Sequence, residues 1–255
     1  MNLKITPIPA YDDNYIWVLH NHEHAAVVDP GLSAPVNDFL AAHNLTLTHI
    51  LITHHHWDHV NGLESLQADW GCQVFAPEDS RIPGQLTVVK ENESIELGDL
   101  GVSFQVIETP GHTLSHICYF NEKWLFCGDT LFSMGCGRMF EGEPKQYLNS
   151  LNKLKKLSKK TQVYCTHEYT LSNIEFALSI EPEHMALLNL KQSVTNKRHQ
   201  NQPSLPVTLL QELTLNPFLR TDDPVITLAL GQKLGINIDD ETSCFAHLRT
   251  CKDEF

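Results

Sequence analysis

Between residues 53 and 59 the chain reads Thr-His-His-His-Trp-Asp-His. The apolar run just before it, Thr48-His49-Ile50-Leu51-Ile52, predicts a short buried strand. Side chains two apart at a strand end point the same way, so His54 and His56 converge while His55 turns aside. Asp58 and His59 fall where a helix should begin, carried on through Gly62-Leu63-Glu64-Ser65-Leu66 to about Gln67. Neutral imidazoles and a carboxylate packed this closely suit a divalent metal. A histidine-rich surface loop is the plainer reading of these residues alone, because the chain has 15 histidines. The residues that answer the cluster from a distance decide against it.

Three of those residues each follow a predicted strand. Val102–Ile107 alternates apolar and polar, then Thr109-Pro110-Gly111 turns the chain and presents His112. The strand Lys123–Phe126 runs into Cys127-Gly128-Asp129, and the strand Val163–Thr166 into His167. In layered α/β folds such loops gather at one edge of the sheets. Five histidines and two carboxylates are too many for one tetrahedral zinc and suit a pair of metals. Nitrogen and carboxylate donors of this kind fit zinc, iron or manganese. Asp29, in Asp29-Pro30-Gly31 after the strand Ala25–Val28, could line the same edge or simply form the turn. His20, His22 and His24, with no carboxylate at ligand spacing, read as solvated turn residues.

A length of 255 residues allows one or two domains. Strands are expected at 2–9, 13–20, 25–28, 48–52, 74–76, 94–97, 102–107, 116–120, 123–126 and 163–166, and helices at 34–43 and from Pro144. From about residue 170 strand alternation stops, and helices are expected near 171–180, 183–199, 206–213, 223–234 and 241–251. The formal net charge of −13 argues against a nucleic-acid partner. It also means that an anionic substrate would need a local cationic cluster. No stretch approaches the ~20 apolar residues of a membrane span, and Met1–Pro7 has no apolar signal core, so a cytoplasmic location is expected. Seven cysteines, an odd number and none at Cys-x-x-Cys spacing, read as small buried thiols.

The order His-x-His-x-Asp-His, Gly-His, Gly-Asp-Thr and a last histidine resembles the metallo-β-lactamase-fold hydrolases over about residues 1–168. The resemblance implies an α/β fold, an αββα sandwich. It also implies one metal on His54, His56 and His112, a second on Asp58, His59 and His167, and Asp129 bridging them. Four further stretches are similar to glyoxalase II, the hydroxyacylglutathione hydrolases: Cys127–Phe132, Gly135-Cys136-Gly137-Arg138, Thr166-His167-Glu168-Tyr169-Thr170 and Leu248–Phe255. That likeness spans essentially the whole chain. It implies a catalytic domain, 1–168, followed by a smaller all-helical glutathione-binding domain, 169–255. Glutathione would be held by Arg138, Phe140, Tyr169, Arg249 and Lys252. Arg138 stands where the family often has lysine, and Phe140 where it often has tyrosine, so any hydroxyl contact there is lost. Arg249 and Lys252, three apart on a predicted helix, share a face and could supply the local positive charge.

The activity implied is hydrolysis of S-(R)-lactoylglutathione to D-lactate and glutathione, the second step of methylglyoxal detoxification. Hydroxide activated by two divalent metals, zinc first with iron or manganese as alternatives, would attack the thioester, with Asp58 orienting it. A thiol leaving group with a pKa near 8.5 needs no dedicated general acid. The expected partner is this small molecule alone, with no nucleic acid, no membrane and a monomeric chain. A persulfide dioxygenase of the same fold is the rival, and would use one iron.

Overall fold

The computed structural model describes residues 3–255, so Asn2, the first residue of the expected strand 2–9, lies outside the described residues. Two compact units divide the chain: one holds the residues up to 109 together with 115–128, the other 110–114 together with 129–255.

The first unit contains β1 (Lys4–Ala10), β2 (Asn14–His20), β3 (His24–Val28), α1 (Ala34–His43) and β4 (Thr46–Leu51). It continues with α2 (Trp57–Val60), α3 (Leu63–Trp70), β5 (Gln73–Ala76) and β6 (Thr87–Val88). Its last strands are β7 (Ser94–Leu97), β8 (Val102–Glu108), β9 (Ile117–Phe120) and β10 (Trp124–Gly128). The first six strands make one sheet in sequence order. β1 and β2 form a hairpin in register from Lys4↔His20 to Ala10↔Asn14. β3, β4 and β5 are parallel because α1 and α3 carry the chain back between them. Val36, Leu40, Leu63 and Leu66 of those helices bury against Val18, Val27, Ile50 and Val74 of the strands. Strands β7 to β10 form an antiparallel meander. In β8 the predicted alternation holds: Phe104 and Val106 are buried, while Ser103 and Gln105 face out. Tyr119 of β9 ties this meander to the first sheet. Its buried hydroxyl reaches Ile52 O (2.9 Å) and Phe75 O (3.0 Å), so the residue just before the histidine cluster is anchored.

Two local expectations change. The single helix foreseen to about Gln67 is broken at Asn61-Gly62. Gly62 N donates to Pro30 O at 2.9 Å, and a Cβ on Gly62 would lie 2.6 Å from that oxygen, so the 29–33 loop bends the chain there. His20, expected in solvent, is the buried last residue of β2. It meets Thr6 Oγ1 at 3.1 Å and packs edge-on against Phe39.

The second unit contains β11 (Leu131–Phe132), β12 (Gly135–Cys136), α4 (Pro144–Leu154), β13 (Gln162–Cys165), α5 (Thr170–Ile180) and α6 (Met185–His199). It ends with β14 (Val207–Thr208), α7 (Leu209–Leu215), α8 (Pro224–Leu234) and α9 (Glu241–Asp253). The helix foreseen from residue 206 starts at Leu209 instead. Val207 and Thr208 pair with β13, and Thr208 Oγ1 then caps α7 at Gln211 N. α8 begins at Pro224 under the Asp223 cap and stops at Gly235 (φ 68°), both as expected from the sequence. The small β11–β12 hairpin had no signal strong enough to foresee. Ile174, Ala177, Leu187, Val194 and Leu215 form a helical core into which Met134 of that hairpin inserts. Among the described residues no helix is long and apolar enough to cross a membrane.

Candidate metal centre

In the first unit, β4 delivers the cluster, and Thr53, His54 and His59 are completely enclosed. The donor atoms of His54 and His56, of His54 and His59, and of Asp58 and His59 lie within 4.8 Å of each other. His55 turns aside, as strand alternation demands, with Nδ1 3.3 Å from Asp79 Oδ2. The Arg81 guanidinium, with Ser115, holds the Asp79 carboxyl well below the usual range. One carboxylate organises the cluster. Asp29, at φ 51°, accepts Thr53 N at 2.8 Å and Thr53 Oγ1 at 2.7 Å, and its Oδ2 lies 3.0 Å from His59 Nδ1. Because the threonine hydrogen is spent on Asp29, Thr53 Oγ1 accepts from His54 Nδ1 at 3.0 Å. His54 is thus set with its lone pair on Nε2, the arrangement a metal needs, and the Asp29 carboxylate beside His59 Nδ1 favours the same tautomer there by its charge. Asn14 Nδ2 donates to Asp58 Oδ2 at 3.0 Å. Gly31 is required here because a Cβ would sit 1.9 Å from Asp58 O. His116, also enclosed, stacks on the His54 ring at 4.8 Å.

In the second unit, two histidines meet at one carboxylate oxygen. Asp129 Oδ2 lies 3.4 Å from His112 Nε2 and 3.3 Å from His167 Nε2. His112 Nδ1 donates to Arg138 O at 2.7 Å, leaving Nε2 as its lone-pair nitrogen. The hydroxyl of Tyr147 is 3.0 Å from Asp129 O and 2.9 Å from Thr130 O. Burial pushes that phenol far up, so it stays a donor. A Cβ on Gly111 would fall 2.2 Å from the Tyr147 ring, and one on Gly137 2.0 Å from Asp129 O, so both glycines let the backbone close around the donors. His167 stacks flat on Tyr169 at 4.7 Å, and Phe132 meets both rings edge-on.

The donor spacings test the fit of a metal. The separations of 3.3, 3.4 and 3.5 Å among Asp129, His112, His167, Asp58 and His59 exceed the usual hydrogen-bond range. They match the edge, about 3.3 Å, of a tetrahedron with ligands ~2.0–2.1 Å from its centre. In each unit the donors therefore suit a divalent cation.

Arg138, Phe140, Tyr169, Arg249 and Lys252 all line one cleft of about 450 Å³ in the second unit, together with His112 and Asp129. Their states differ. Arg249 is only 5% exposed. Its Nη1 donates to Cys136 O at 2.8 Å, and Nη2 pairs with Asp253 at 3.0 Å. It shares the helix with Lys252 as the spacing predicts, but it is an interior brace rather than a surface cation. Burial, and then Arg249, push the Lys252 ammonium down. Its Nζ meets Ser172 O at 3.3 Å and lies over the Phe176 and Phe255 rings. Arg138 reaches outward, with Nε 3.2 Å from Asp253 and its guanidinium 6.0 Å from the centre of the exposed Phe140 ring. Asn14, His116 and Tyr147 carry no mark in the sequence, where they look like ordinary strand or helix residues. Asp29 carried a visible signal, an aspartate at a strand end, without showing what it would hold.

Comparison with known proteins agrees with this geometry. Residues 11–167 match the family model of the metallo-β-lactamase superfamily, and residues 168–255 that of the hydroxyacylglutathione hydrolase C-terminus. A hydroxyacylglutathione hydrolase of Albidiferax ferrireducens is 46% identical over 258 residues, covering 99% of this chain and all of that one. One of Nitrosomonas eutropha is 42% identical over 253 residues, covering 99% of each. Among solved structures, ETHE1 from Myxococcus xanthus is similar at 29% identity and a TM-score of 0.58, covering 66% of this chain and 76% of that one. The B3 metallo-β-lactamase BLEG-1 is similar at 25% identity and a TM-score of 0.60, covering 86% and 99%. The N-terminal part thus has the metallo-β-lactamase fold, and the helical end is the region that the second family model describes.

Proposed function

We propose that this chain, which belongs to the hydroxyacylglutathione hydrolase family, hydrolyses S-(R)-lactoylglutathione to D-lactate and glutathione, the second step of methylglyoxal detoxification. The observation that carries the reading is a single cleft in which the metal-type donors His112 and Asp129 adjoin the cations Arg138, Arg249 and Lys252. A tripeptide thioester presents carboxylates and a reactive carbonyl together, and needs both kinds of group.

His54, His56 and His112 would hold one divalent ion and Asp58, His59 and His167 a second, and Asp129 would serve as a further ligand. Zinc is the first choice, with iron and manganese as alternatives. Bound there, such ions supply Lewis acidity for the thioester carbonyl and make water acidic near neutral pH. Asp58, steadied by Asn14, accepts a hydrogen bond from the attacking water and orients it. Through Thr53, Asp29 keeps the His54 proton on Nδ1, and its charge beside His59 Nδ1 favours the proton there too. In the cleft, Arg138 and Lys252 attract the substrate carboxylates. Arg249 holds the wall by its bond to Cys136 O. Tyr169 packs beside the peptide, and Phe140 offers an apolar face with no hydroxyl to donate. The sulfur leaves with the bonding pair as a thiolate, stable enough near its pKa of about 8.5 to need no acid.

On the same reading, residues 1–168 are the catalytic domain and 169–255 the glutathione-binding domain, a division supported by the two family models meeting between residues 167 and 168. The small thioester is the sole partner, and the protein works in the cytoplasm as a monomer. The test follows S-lactoylglutathione cleavage before and after chelation, with metal analysis of the same sample. Turnover should vanish with the metals and return when they are restored. Turnover that survives complete metal removal rejects the mechanism.

A further inference from the structure

Side chains from α5, α9 and the end of α7 converge on the backbone of the β11–β12 hairpin, including the Ser133–Met134 turn between its strands. Asn173 Nδ2 donates to Ser133 O at 3.0 Å. Asn216 Nδ2, at the end of α7, donates to Phe132 O at 3.2 Å and Gly135 O at 2.9 Å. Arg249 Nη1 donates to Cys136 O at 2.8 Å. At the centre is Glu212, fully buried. It accepts from Met134 N at 2.9 Å, Ser133 Oγ at 3.2 Å and Asn216 Nδ2 at 2.9 Å.

The hairpin does not hold this shape unaided. Met134 sits at φ 59°, a left-handed conformation uncommon for a residue with a side chain. Gly135 has no slack either, since a Cβ there would lie 2.6 Å from Asn173 Nδ2. The partners of Glu212 are all neutral, and among the described residues no cation pairs with it. A buried carboxylate without a cation costs more than an amide or an apolar group of similar size. Bulk stability therefore does not explain its place. What it grips does. Phe132 lines the cleft and packs edge-on against His167 (5.6 Å) and Tyr169 (5.4 Å). Three residues past the turn, the same backbone supplies Gly137 and Arg138.

We propose that Glu212 is a positioning residue for substrate binding. By gripping the Ser133–Met134 turn from α7, it sets the cleft wall that runs from Phe132 to Arg138. The proposal rests on the thioesterase reading above. Removing the grip loosens the wall equally for bound substrate and for the transition state, so KM rises while kcat holds.

The experiment compares wild type, Glu212→Ala, Asn216→Ala and Glu212→Gln as metal-loaded enzymes. S-lactoylglutathione is the substrate, and the temperature is well below each variant's unfolding midpoint. Asn216 touches the hairpin but does not line the cleft, so it tests the grip independently if Glu212→Ala does not fold. Losing buried acceptors or donors of this kind should raise KM about tenfold in both alanine variants, with kcat within about threefold and metal content unchanged. Glu212→Gln should restore KM to within about twofold, because its carbonyl can accept both N–H donors while its amide donates to Ser133 Oγ. A folded alanine variant with wild-type KM overturns the proposal. So does a loss confined to kcat, or a glutamine variant as impaired as Glu212→Ala. If wild type itself fails to cleave the thioester, it is the functional reading that falls.

Discussion

Glu212→Gln makes a sharp stability test as well. Burial pushes the Glu212 carboxyl up from 4.5 to about 7, against its three hydrogen bonds. Its folded-state pKa therefore lies above its unfolded value. Below about pH 4.5 the acid is protonated in both states and costs the fold nothing. As pH rises towards and through 7, the unfolded chain releases the proton freely while the folded protein resists, and stability is lost across that window. The gap corresponds to about 3 kcal/mol at full development. Glutamine never ionises and keeps the hydrogen bonds. The stability of Glu212→Gln relative to wild type should therefore grow by about 3 kcal/mol between pH 4.5 and pH 7.5, or roughly 5–10 °C in unfolding midpoint. The neighbouring Cys165 thiol, pushed far up by burial, stays neutral over this range and leaves the difference untouched. Urea unfolding of both metal-free proteins, followed by circular dichroism at half-unit pH steps, measures it. A difference that is flat with pH refutes the argument that this carboxyl is held away from water among neutral partners.

Three further outcomes follow from the geometry. Asp29→Asn turns one acceptor oxygen into a donor beside Thr53 and His59. Metal affinity should fall ~10- to 100-fold, as for other groups that orient ligands, in competition with a chromogenic chelator; unchanged affinity would remove Asp29 from that role. Lys252→Ala should raise KM for the thioester without lowering the unfolding midpoint. Arg249→Ala should do both, losing about 1–3 kcal/mol as its buried carbonyl partners lose their donor. Equal midpoints for the two variants would contradict the brace. Gly31→Ala would put a Cβ 1.9 Å from Asp58 O, and backbone rather than a side chain must yield. Metal analysis should find occupancy sharply reduced, and full occupancy would show that the loop can shift.

What the linear chain determined by itself was local. His54, His56, Asp58 and His59 lie within six residues, and a strand's two-residue repeat followed by a helix start is enough to aim them. The expectation that His55 turns away came from that repeat alone, and its ring does lie against Asp79. His112, Asp129 and His167 stand out because each follows a predicted strand, and the fold brings the three together; Pro224 and Gly235 mark the limits of α8 through their own backbone preferences. Tertiary structure decided whatever depends on which distant group comes near. His20 looked like a turn residue until Phe39 and Thr6 covered it. The sequence places Arg249 on one helix face with Lys252, and only the fold shows that the carbonyl that captures it belongs to Cys136, 113 positions earlier. Glu212 carried no local mark at all, because its meaning lies in Ser133 and Met134, 79 and 78 positions away. Periodicity encodes which way a side chain faces. Only the closed fold sets how much water is left around it and which polar partner replaces that water, and those two quantities decide whether a charged residue binds, braces or is held neutral.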